Sequence, residues 1–307
     1  MGAIALAAKI THVPSMYLSE LPGPHHGCRK AAIDGHSELG RRARERGVDT
    51  LVIFDVHWLV NSGYHVNCCE KFQGIYSSNE LPHFVKDMAY DYDGNPALGE
   101  LIAERANARG IKTRAHQVQS LGLEYGTLVP CRYMNSDRRF KVVSVAAWCA
   151  SHRLDDSRVF GEAVREAIEK SSSRVAVLAS GSLSHRFNDN SNAEEKMFDI
   201  SNEFFRQVDL RVLELWQKGE WKIFTDMLSE YAARCVGEGG MHDTAMLMGM
   251  LGWDQYRGKV EVVTDLFPSS GTGQINAIFP VTPQSGAAVP GPKASVVDKA
   301  KAFAGRI

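Results

Sequence analysis

Residues 50–56 read TLVIFDV, and this short stretch decides the fold because bulky apolar side chains occupy both of its faces. A strand with one solvent-exposed face alternates apolar and polar residues, whereas a strand covered by helices on both sides does not. We therefore predict a central strand here. Similar runs alternate with stretches of helical period along the chain, which predicts an α/β fold. The predicted strands cover residues 3–10, 50–56, 140–148 and 174–179, and the predicted helices cover residues 30–46, 96–109, 158–170, 193–218 and 243–251.

The C-terminal part of the chain differs in composition from the rest. No internal repeat and no clear linker precedes Pro280, so we predict one domain over residues 1–280. From residue 281 the sequence shifts to Pro, Gly and Ala and then to a short amphipathic piece. This pattern predicts an appended tail over residues 281–307.

Composition and charge narrow the class of protein. The chain has 307 residues, of which 44% are hydrophobic and 23% charged, as is typical of a folded globular protein. Its formal net charge is -1, so nothing indicates binding to nucleic acid or to an anionic membrane surface. The six cysteines are scattered and the apolar N-terminus lacks the basic start of a secretory signal. We therefore expect reduced thiols and a cytoplasmic protein that does not span a membrane.

Three histidines follow predicted strands at equivalent places. His12 comes just after the first strand, His57 just after TLVIFDV, and His185 a few residues after RVAVLA. In open α/β sheets, ligands bind outside the carboxyl ends of the strands. We therefore expect these three side chains to converge on one crevice.

A carboxylate is needed if two of these histidines hold a catalytic divalent metal. Two neutral imidazoles and one anion on one face of the ion leave positions open for a substrate. Glu238 is the best local candidate, because the glycines of VGEGG let the backbone approach a site closely. Asp55 is the alternative, and its other role would be to orient His57.

Taken together, these stretches resemble a known family. The similarity runs through ITHVPSMYLSELPG, HHGCR, FDVHWLVNSGYH, SNELPHF, LEYGTLVP, ASGSLSHRF, GEGGMHDTAMLMGMLGW and SSGTGQINAIFP, which cover nearly the whole chain up to about Pro280. The sequence resembles the class III extradiol ring-cleaving dioxygenases of the LigB type. The resemblance implies a single three-layer α/β/α domain with a central mixed sheet, and a homo-oligomer.

The same resemblance implies roles for individual residues. His12, His57 and Glu238 would hold Fe(II), with Mn(II) as the alternative metal, and His185 would be the acid and base of the reaction. The substrates would be O2 and a catechol-type aromatic acid. The branch with LEYGTLVP implies 3,4-dihydroxyphenylacetate, and protocatechuate is the neighbouring alternative.

Two further roles concern the binding and the protonation of the substrate. Many family members carry a histidine in a motif like DHGTLVP that helps to bind or protonate the substrate. Tyr125 stands at that place here, so this role falls to Tyr125 or to a residue elsewhere. The acid group of the substrate needs an anchor, preferably a guanidinium that holds a carboxylate through two bonds. Arg29 and Arg186 are the candidates because they border HHGCR and SLSH, and the alternative for each is a structural or surface arginine.

Two other kinds of function would use the same residues. Two histidines and one glutamate also suit zinc, which would make the protein a hydrolase that activates water. A relative that keeps the fold only for binding is the second alternative. The presence of all three candidate ligands together with His185 favours an enzyme.

Overall fold

The computed structural model describes residues 1–187 and 195–281. Within this part the strands are β1 (Ala3–Ile10), β2 (Thr50–Asp55), β3 (Tyr64–Asn67), β4 (Lys71–Tyr76), β5 (Met88–Asp93), β6 (Thr113–His116), β7 (Lys141–Ala147), β8 (Arg174–Ser180), β9 (Glu261–Ser269) and β10 (Thr272–Ile278). They form a mixed sheet in the order β6-β3-β7-β2-β8-β1-β10-β9, and β4 and β5 form a separate hairpin. At the centre, β7, β2, β8 and β1 are parallel, while β10 runs antiparallel to β1.

Strand β2 is buried along its whole length, as the pattern of TLVIFDV predicts. Leu51 and Ile53 pack into the apolar core on one face of the sheet, and Val52 and Phe54 pack into the core on the other face. Burying one such side chain contributes roughly 1.5–3 kcal/mol. The strand therefore stabilises the packing on both faces of the sheet, provided that a layer of helices covers each face.

Helices cover both faces. They are α1 (Ser15–Leu18), α2 (Lys30–Glu45), α3 (Pro96–Ala108), α4 (Tyr125–Met134), α5 (Leu154–Lys170), α6 (Glu203–Lys218), α7 (Trp221–Arg234) and α8 (His242–Leu251). Helices α2 and α4 share a core with Leu51 and Ile53, whereas α3, α5, α6, α7 and α8 share the core on the opposite face. The predicted three-layer α/β/α fold with a mixed central sheet is confirmed.

The ends of the helices show which local signals can be read from the sequence. Helix α2 ends just before Gly47, whose φ of +67° is the left-handed conformation expected of a terminating glycine. The helix predicted over residues 193–218 begins only at Glu203, so that prediction was wrong at its start. Asn202 determines the start, because its side chain accepts a hydrogen bond from the N–H of Phe205 and caps the helix.

The last predicted helix and the tail have different outcomes. Residues 242–250 of α8 are all buried, as expected of a Met-rich helix in the core. The predicted tail lies, from residue 282 onward, outside the described residues. None of the helices in the described part of the chain is long and apolar enough to cross a membrane.

Candidate metal centre and active site

The order of the strands explains why residues far apart in sequence share one site. Strands β2, β8 and β1 are parallel neighbours, so their carboxyl ends lie side by side at one edge of the sheet. His57 follows β2, His185 follows β8 and His12 follows β1. All three side chains line one cavity of about 290 Å³, together with Glu238. The structure thus brings together the residues that the sequence placed at the ends of these strands.

Three of these residues direct donor atoms to one point. Glu238 Oε1 lies 2.9 Å from His12 Nε2 and 3.0 Å from His57 Nε2. One donor atom from each of the three residues lies within 4.8 Å of the others. Ligand atoms that sit at right angles about 2.0–2.2 Å from a metal are themselves about 3 Å apart. The three residues therefore fit a single divalent ion.

Hydrogen bonds fix the tautomer of His12. Ser180 Oγ donates its proton to the carbonyl oxygen of Gly126 at 2.5 Å, so it accepts the bond from His12 Nδ1 at 2.9 Å. In the neutral ring Nε2 then carries no proton, and its lone pair faces the carboxylate of Glu238. Two acceptors at this distance repel each other unless a cation lies between them. This is the arrangement of two ligands of one metal, with a second hydrogen bond orienting the imidazole.

Asp55 positions His57 through the backbone and not through the ring. Its Oδ1 accepts from the N–H groups of His57 and Trp58 at 2.8 and 3.2 Å, and its Oδ2 accepts from the hydroxyl of Thr127 at 2.6 Å. A Cβ atom on Gly126 would lie 2.2 Å from Asp55 Oδ1, so only glycine fits there. Asp55 therefore stabilises the turn that carries His57 and lies outside the cluster of candidate ligands.

Glu238 stands at the start of a short 3-10 helix, Glu238–Met241, that depends on glycine. Gly239 and Gly240 have φ angles of +52° and +61°, which other residues rarely adopt. A Cβ atom on Gly239 would also lie 2.6 Å from a side-chain atom of Val56. The glycines therefore allow the close backbone approach that their pattern predicted.

The charge of Glu238 is held by its neighbours. The backbone N–H of Ser182 donates to Oε2, which leaves Oε1 for the two histidines. Burial acts to raise the pKa of the carboxyl, but the adjacent rings of His12 and His185 outweigh it and hold the pKa well below its usual value. Glu238 is therefore an ionised carboxylate, the form that binds a metal.

His185 lies beside the candidate ligands in a different orientation. Its Nδ1 is 2.8 Å from Ser182 Oγ, and that hydroxyl donates to the carbonyl oxygen of Ser184 at 3.4 Å, so Nδ1 carries the proton. Within residues 1–187 and 195–281, Nε2 has no hydrogen-bond partner. Burial lowers the pKa of the ring below its usual value, so His185 is neutral at pH 7. Its Nε2 is then a proton acceptor beside the cavity.

Tyr125 begins α4 and packs against His57. Its hydroxyl lies 2.8 Å from His57 Nε2, and the two ring centroids are 4.0 Å apart. Burial, together with the charge of Glu238, raises the pKa of the Tyr125 hydroxyl well above its ordinary value, so it stays protonated. Tyr125 therefore lies within the site as a hydrogen-bond donor.

Besides the histidines, Tyr125, Glu238 and Glu80, the cavity is lined by an apolar and a polar set of side chains, which we call its apolar wall and its polar wall. The apolar wall comprises Val13, Pro14, Leu81, Phe84 and Phe187, and the polar wall comprises Ser15, Ser269, Ser270, Thr272 and Gln274. An aromatic ring with a polar substituent suits such a cavity. Our sequence reasoning missed the polar wall and the two serines that orient the histidines. The only signal was the density of serine in ASGSLSH and SSGTGQ.

Neither of the arginines predicted to anchor the substrate lines this cavity. Arg186 is exposed. Arg29 is 5% exposed and lies behind the polar wall, where it donates to Ser15 Oγ, Ser269 Oγ and two backbone carbonyl oxygens. Burial lowers the pKa of its guanidinium to about 10, so it remains a cation at neutral pH.

Comparison with known proteins defines the class to which this fold and site belong. Residues 6–280 match the family described as the catalytic LigB subunit of aromatic ring-opening dioxygenase, and the chain belongs to that family. The resemblance seen in the sequence motifs is thereby confirmed.

Individual relatives lie at different distances. The chain is 62% identical to 3,4-dihydroxyphenylacetate 2,3-dioxygenase of Escherichia coli over 260 residues, which cover 85% of this chain and 94% of that protein. It is 26% identical over 204 residues to the 2-aminophenol 1,6-dioxygenase beta subunit of Pseudomonas sp, covering 62% of this chain and 65% of that one. The crystal structure of an uncharacterized protein from Escherichia coli K12 matches with a TM-score of 0.61 at 13% identity, covering 90% of this chain and 100% of that chain. This last similarity concerns the fold alone.

Proposed function

We propose that this protein is an Fe(II)-dependent extradiol dioxygenase that cleaves the ring of 3,4-dihydroxyphenylacetate with O2. The product would be 5-carboxymethyl-2-hydroxymuconate semialdehyde, formed in the catabolism of 4-hydroxyphenylacetate. The observation that carries the proposal is the convergence of donor atoms from His12, His57 and Glu238 beside His185. The identity of 62% to a dioxygenase named for this substrate supports it.

His12, His57 and Glu238 would hold the metal. Two imidazoles and one carboxylate with open positions are the ligand set of non-haem Fe(II) oxygenases, which is why we propose Fe(II) before Mn(II). When bound, Fe(II) would hold both catechol oxygens and O2 and carry electrons between them. Ser180 and Asp55 would keep the two histidines in place for this purpose.

His185 would move the protons. The neutral ring of His185 would accept a hydroxyl proton of the catechol at Nε2, the ring nitrogen that carries no proton. Ser182 stabilises the resulting cation, because its hydroxyl oxygen accepts a bond from Nδ1–H. Since the pKa of this ring is lowered by burial, the proton is also released readily at neutral pH, as a group that acts first as base and then as acid requires. Tyr125 would donate a hydrogen bond beside His57.

Other parts of the proposal concern the whole chain. We assign the catalytic domain to residues 1–280 and treat residues 281–307 as an appended tail, and the family match over residues 6–280 supports the first assignment. A homo-oligomer and a cytoplasmic location also belong to the proposal. They depend on the sequence and on the resemblance to the family.

Anaerobic reconstitution tests this function directly. Metal-free protein is loaded with Fe(II), mixed with 3,4-dihydroxyphenylacetate in air-saturated buffer, and followed by O2 uptake and visible absorbance. The parent should consume O2 and form a yellow, pH-dependent product. The ligand variants His12→Ala, His57→Ala and Glu238→Ala should lose iron and activity together, whereas His185→Ala should keep iron and lose turnover. His26→Ala, which changes an exposed histidine outside the cavity, is the matched control.

Two results would contradict the proposal. The first is an iron-loaded parent that consumes no O2 with any catechol. The second is a ligand variant that keeps full iron content. Hydrolytic activity of the zinc-loaded protein, in the absence of O2 uptake by the iron-loaded form, would favour the hydrolase instead.

A further inference from the structure

Arg29 is a buried cation, and the hydrogen-bond partners of its guanidinium among the described residues are all neutral. In residues 1–187 and 195–281 its guanidinium donates to two hydroxyl oxygens and two backbone carbonyl oxygens. The rings of Phe198 and Phe267 lie 5.0 and 5.3 Å from it, which shields it further from water. Charged groups are seldom buried without an opposite charge nearby. A bound anion near this guanidinium would compensate its charge.

Two of the four acceptors of Arg29 belong to the cavity. Nε donates to Ser15 Oγ at 2.9 Å and Nη2 donates to Ser269 Oγ at 3.1 Å, and both serines line the polar wall. Because each hydroxyl oxygen accepts from the guanidinium, its own proton is directed elsewhere. In the described part of the chain neither hydroxyl donates a hydrogen bond.

The neighbouring polar groups differ in this respect. The hydroxyl of Thr11 donates to Gln274 Oε1 at 2.6 Å, and Gln274 Nε2 donates to Thr272 Oγ1 at 2.7 Å. The hydroxyl of Thr272 donates to the carbonyl oxygen of Ser269 at 2.6 Å. This chain of bonds already uses the protons of both side-chain hydroxyls, Thr11 and Thr272. Ser15 and Ser269, in contrast, are the two hydroxyls of the polar wall that accept from Arg29, so each can direct its proton to a ligand.

We propose that Ser15 and Ser269 bind the carboxylate of the aromatic acid substrate, and that Arg29 behind them supplies the compensating positive charge without touching it. The inference rests on the proposed function and extends it to the part of the substrate that does not react. A hydroxyl that accepts a bond from a cation is polarised and becomes a better donor. Two such donors match the two oxygens of a carboxylate. Arg29 is then a positioning residue, and the two serines determine the preference for an acid.

The test compares an acid with a neutral analogue. KM and kcat are measured for 3,4-dihydroxyphenylacetate and for 4-methylcatechol with iron-loaded Ser15→Ala and Ser269→Ala. Each variant should raise KM for the acid roughly tenfold or more, because each loses a hydrogen bond to a charged group. KM for 4-methylcatechol should change by less than about twofold, since it has no carboxylate.

Ser19→Ala is the matched control. Ser19 Oγ accepts from the backbone N–H of Arg29 at 2.9 Å, yet Ser19 does not line the cavity. This variant removes a hydroxyl that contacts the backbone of Arg29 and leaves the contacts of the guanidinium in place, so both KM values should stay unchanged. Binding of 4-hydroxyphenylacetate and 4-methylphenol, measured by calorimetry, adds a readout that needs no turnover. Only 4-hydroxyphenylacetate should bind more weakly to Ser15→Ala and Ser269→Ala, again by roughly tenfold or more.

The outcomes separate this inference from the proposed function. Equal rises in KM for the acid and for 4-methylcatechol, or unchanged binding of 4-hydroxyphenylacetate, would overturn the role of the serines and leave the dioxygenase standing. A parent that turns over no catechol would overturn the dioxygenase. The calorimetric comparison would then still decide whether Ser15 and Ser269 bind an aromatic acid.

Discussion

Asp209 should lower the free energy of unfolding as the pH rises from 4 to 8, and replacing it by asparagine should remove this effect. Asp209 lies on α6 and is completely buried. Its Oδ1 accepts from the N–H of Ser184 at 3.2 Å and from the hydroxyl of Tyr231 at 2.7 Å, and its Oδ2 lies 2.7 Å from Ser184 Oγ. Burial raises the pKa of the carboxyl from its ordinary value of 3.8 to about 6, although these hydrogen bonds act in the opposite direction.

The size and the sign of the effect follow from this pKa. Each unit of difference between the folded and unfolded pKa is about 1.4 kcal/mol, so the shift of Asp209 corresponds to about 3 kcal/mol. Because the folded pKa is the higher one, the folded state binds the proton more tightly. The contribution is fully present below about pH 4 and is lost as the pH rises through 6.

Asparagine mimics the protonated carboxyl at this position. Its amide oxygen accepts the bonds from Ser184 and Tyr231, and its NH2 group donates to Ser184 Oγ. Urea unfolding of the metal-free parent and of Asp209→Asn is followed by circular dichroism from pH 4 to pH 8. The free energy of unfolding of the parent, minus that of the variant, should fall by about 3 kcal/mol over this range. Other titrating groups cancel in the difference, so a difference that is constant with pH would refute the reasoning.

Three further predictions concern the buried polar groups around the site. Burial lowers the pKa of His36 to about 4, so its contribution to the free energy of unfolding is present above pH 6.5 and lost as the pH falls through 4. Between pH 7 and pH 4 the parent should therefore lose about 3 kcal/mol more unfolding free energy than His36→Gln. Equal losses in the two proteins would contradict this. Ser180→Ala removes the bond that orients His12 and should weaken metal binding roughly 10–100-fold in a competition titration with a chelator, whereas unchanged affinity would speak against the assigned tautomer. Asp243→Asn leaves the fully buried Lys9 ammonium without its charged partner and should lower the free energy of unfolding in urea by about 3–5 kcal/mol. Lys9→Met combined with Asp243→Leu should lower it by less, because no buried charge remains. A double variant as unstable as the single one would disprove the charge argument.

The sequence alone was sufficient for the layers of the fold and for the residues at the ends of the central strands. The apolar residues on both faces of TLVIFDV predict a strand that is buried on both sides. The geometry of parallel strands then places His12, His57 and His185 at the same edge of the sheet. Glu238 was found through the glycines beside it, whose positive φ angles are a local requirement that shows in the sequence. These features depend on near neighbours or on a general rule of sheets.

Other features could not be predicted because they arise where distant segments meet. Arg29 was proposed as a direct anchor, but its orientation is set by Met197, Pro268 and Ser269, which are 168 to 240 positions away. Ser180 and Ser182 look like ordinary turn residues until the rings of two histidines lie against them. The start of α6 depends on the competition between the helical pattern and the cap at Asn202, and pattern alone does not decide it.

The position of β1 within the sheet has a consequence for biosynthesis. In the described part of the chain β1 pairs only with β8 and β10, and His12 is bonded to Ser180, 168 residues further along. At translation rates of about 5–20 residues per second, the first strand waits roughly 10–30 s on the ribosome before its partner is made. Glu238 emerges later still, so for most of synthesis the nascent chain holds His12 and His57 without the carboxylate of the cluster. A metal ion can therefore be held by all three residues only after synthesis is nearly complete, and conditions that slow elongation lengthen the time in which an apolar strand lacks its partners.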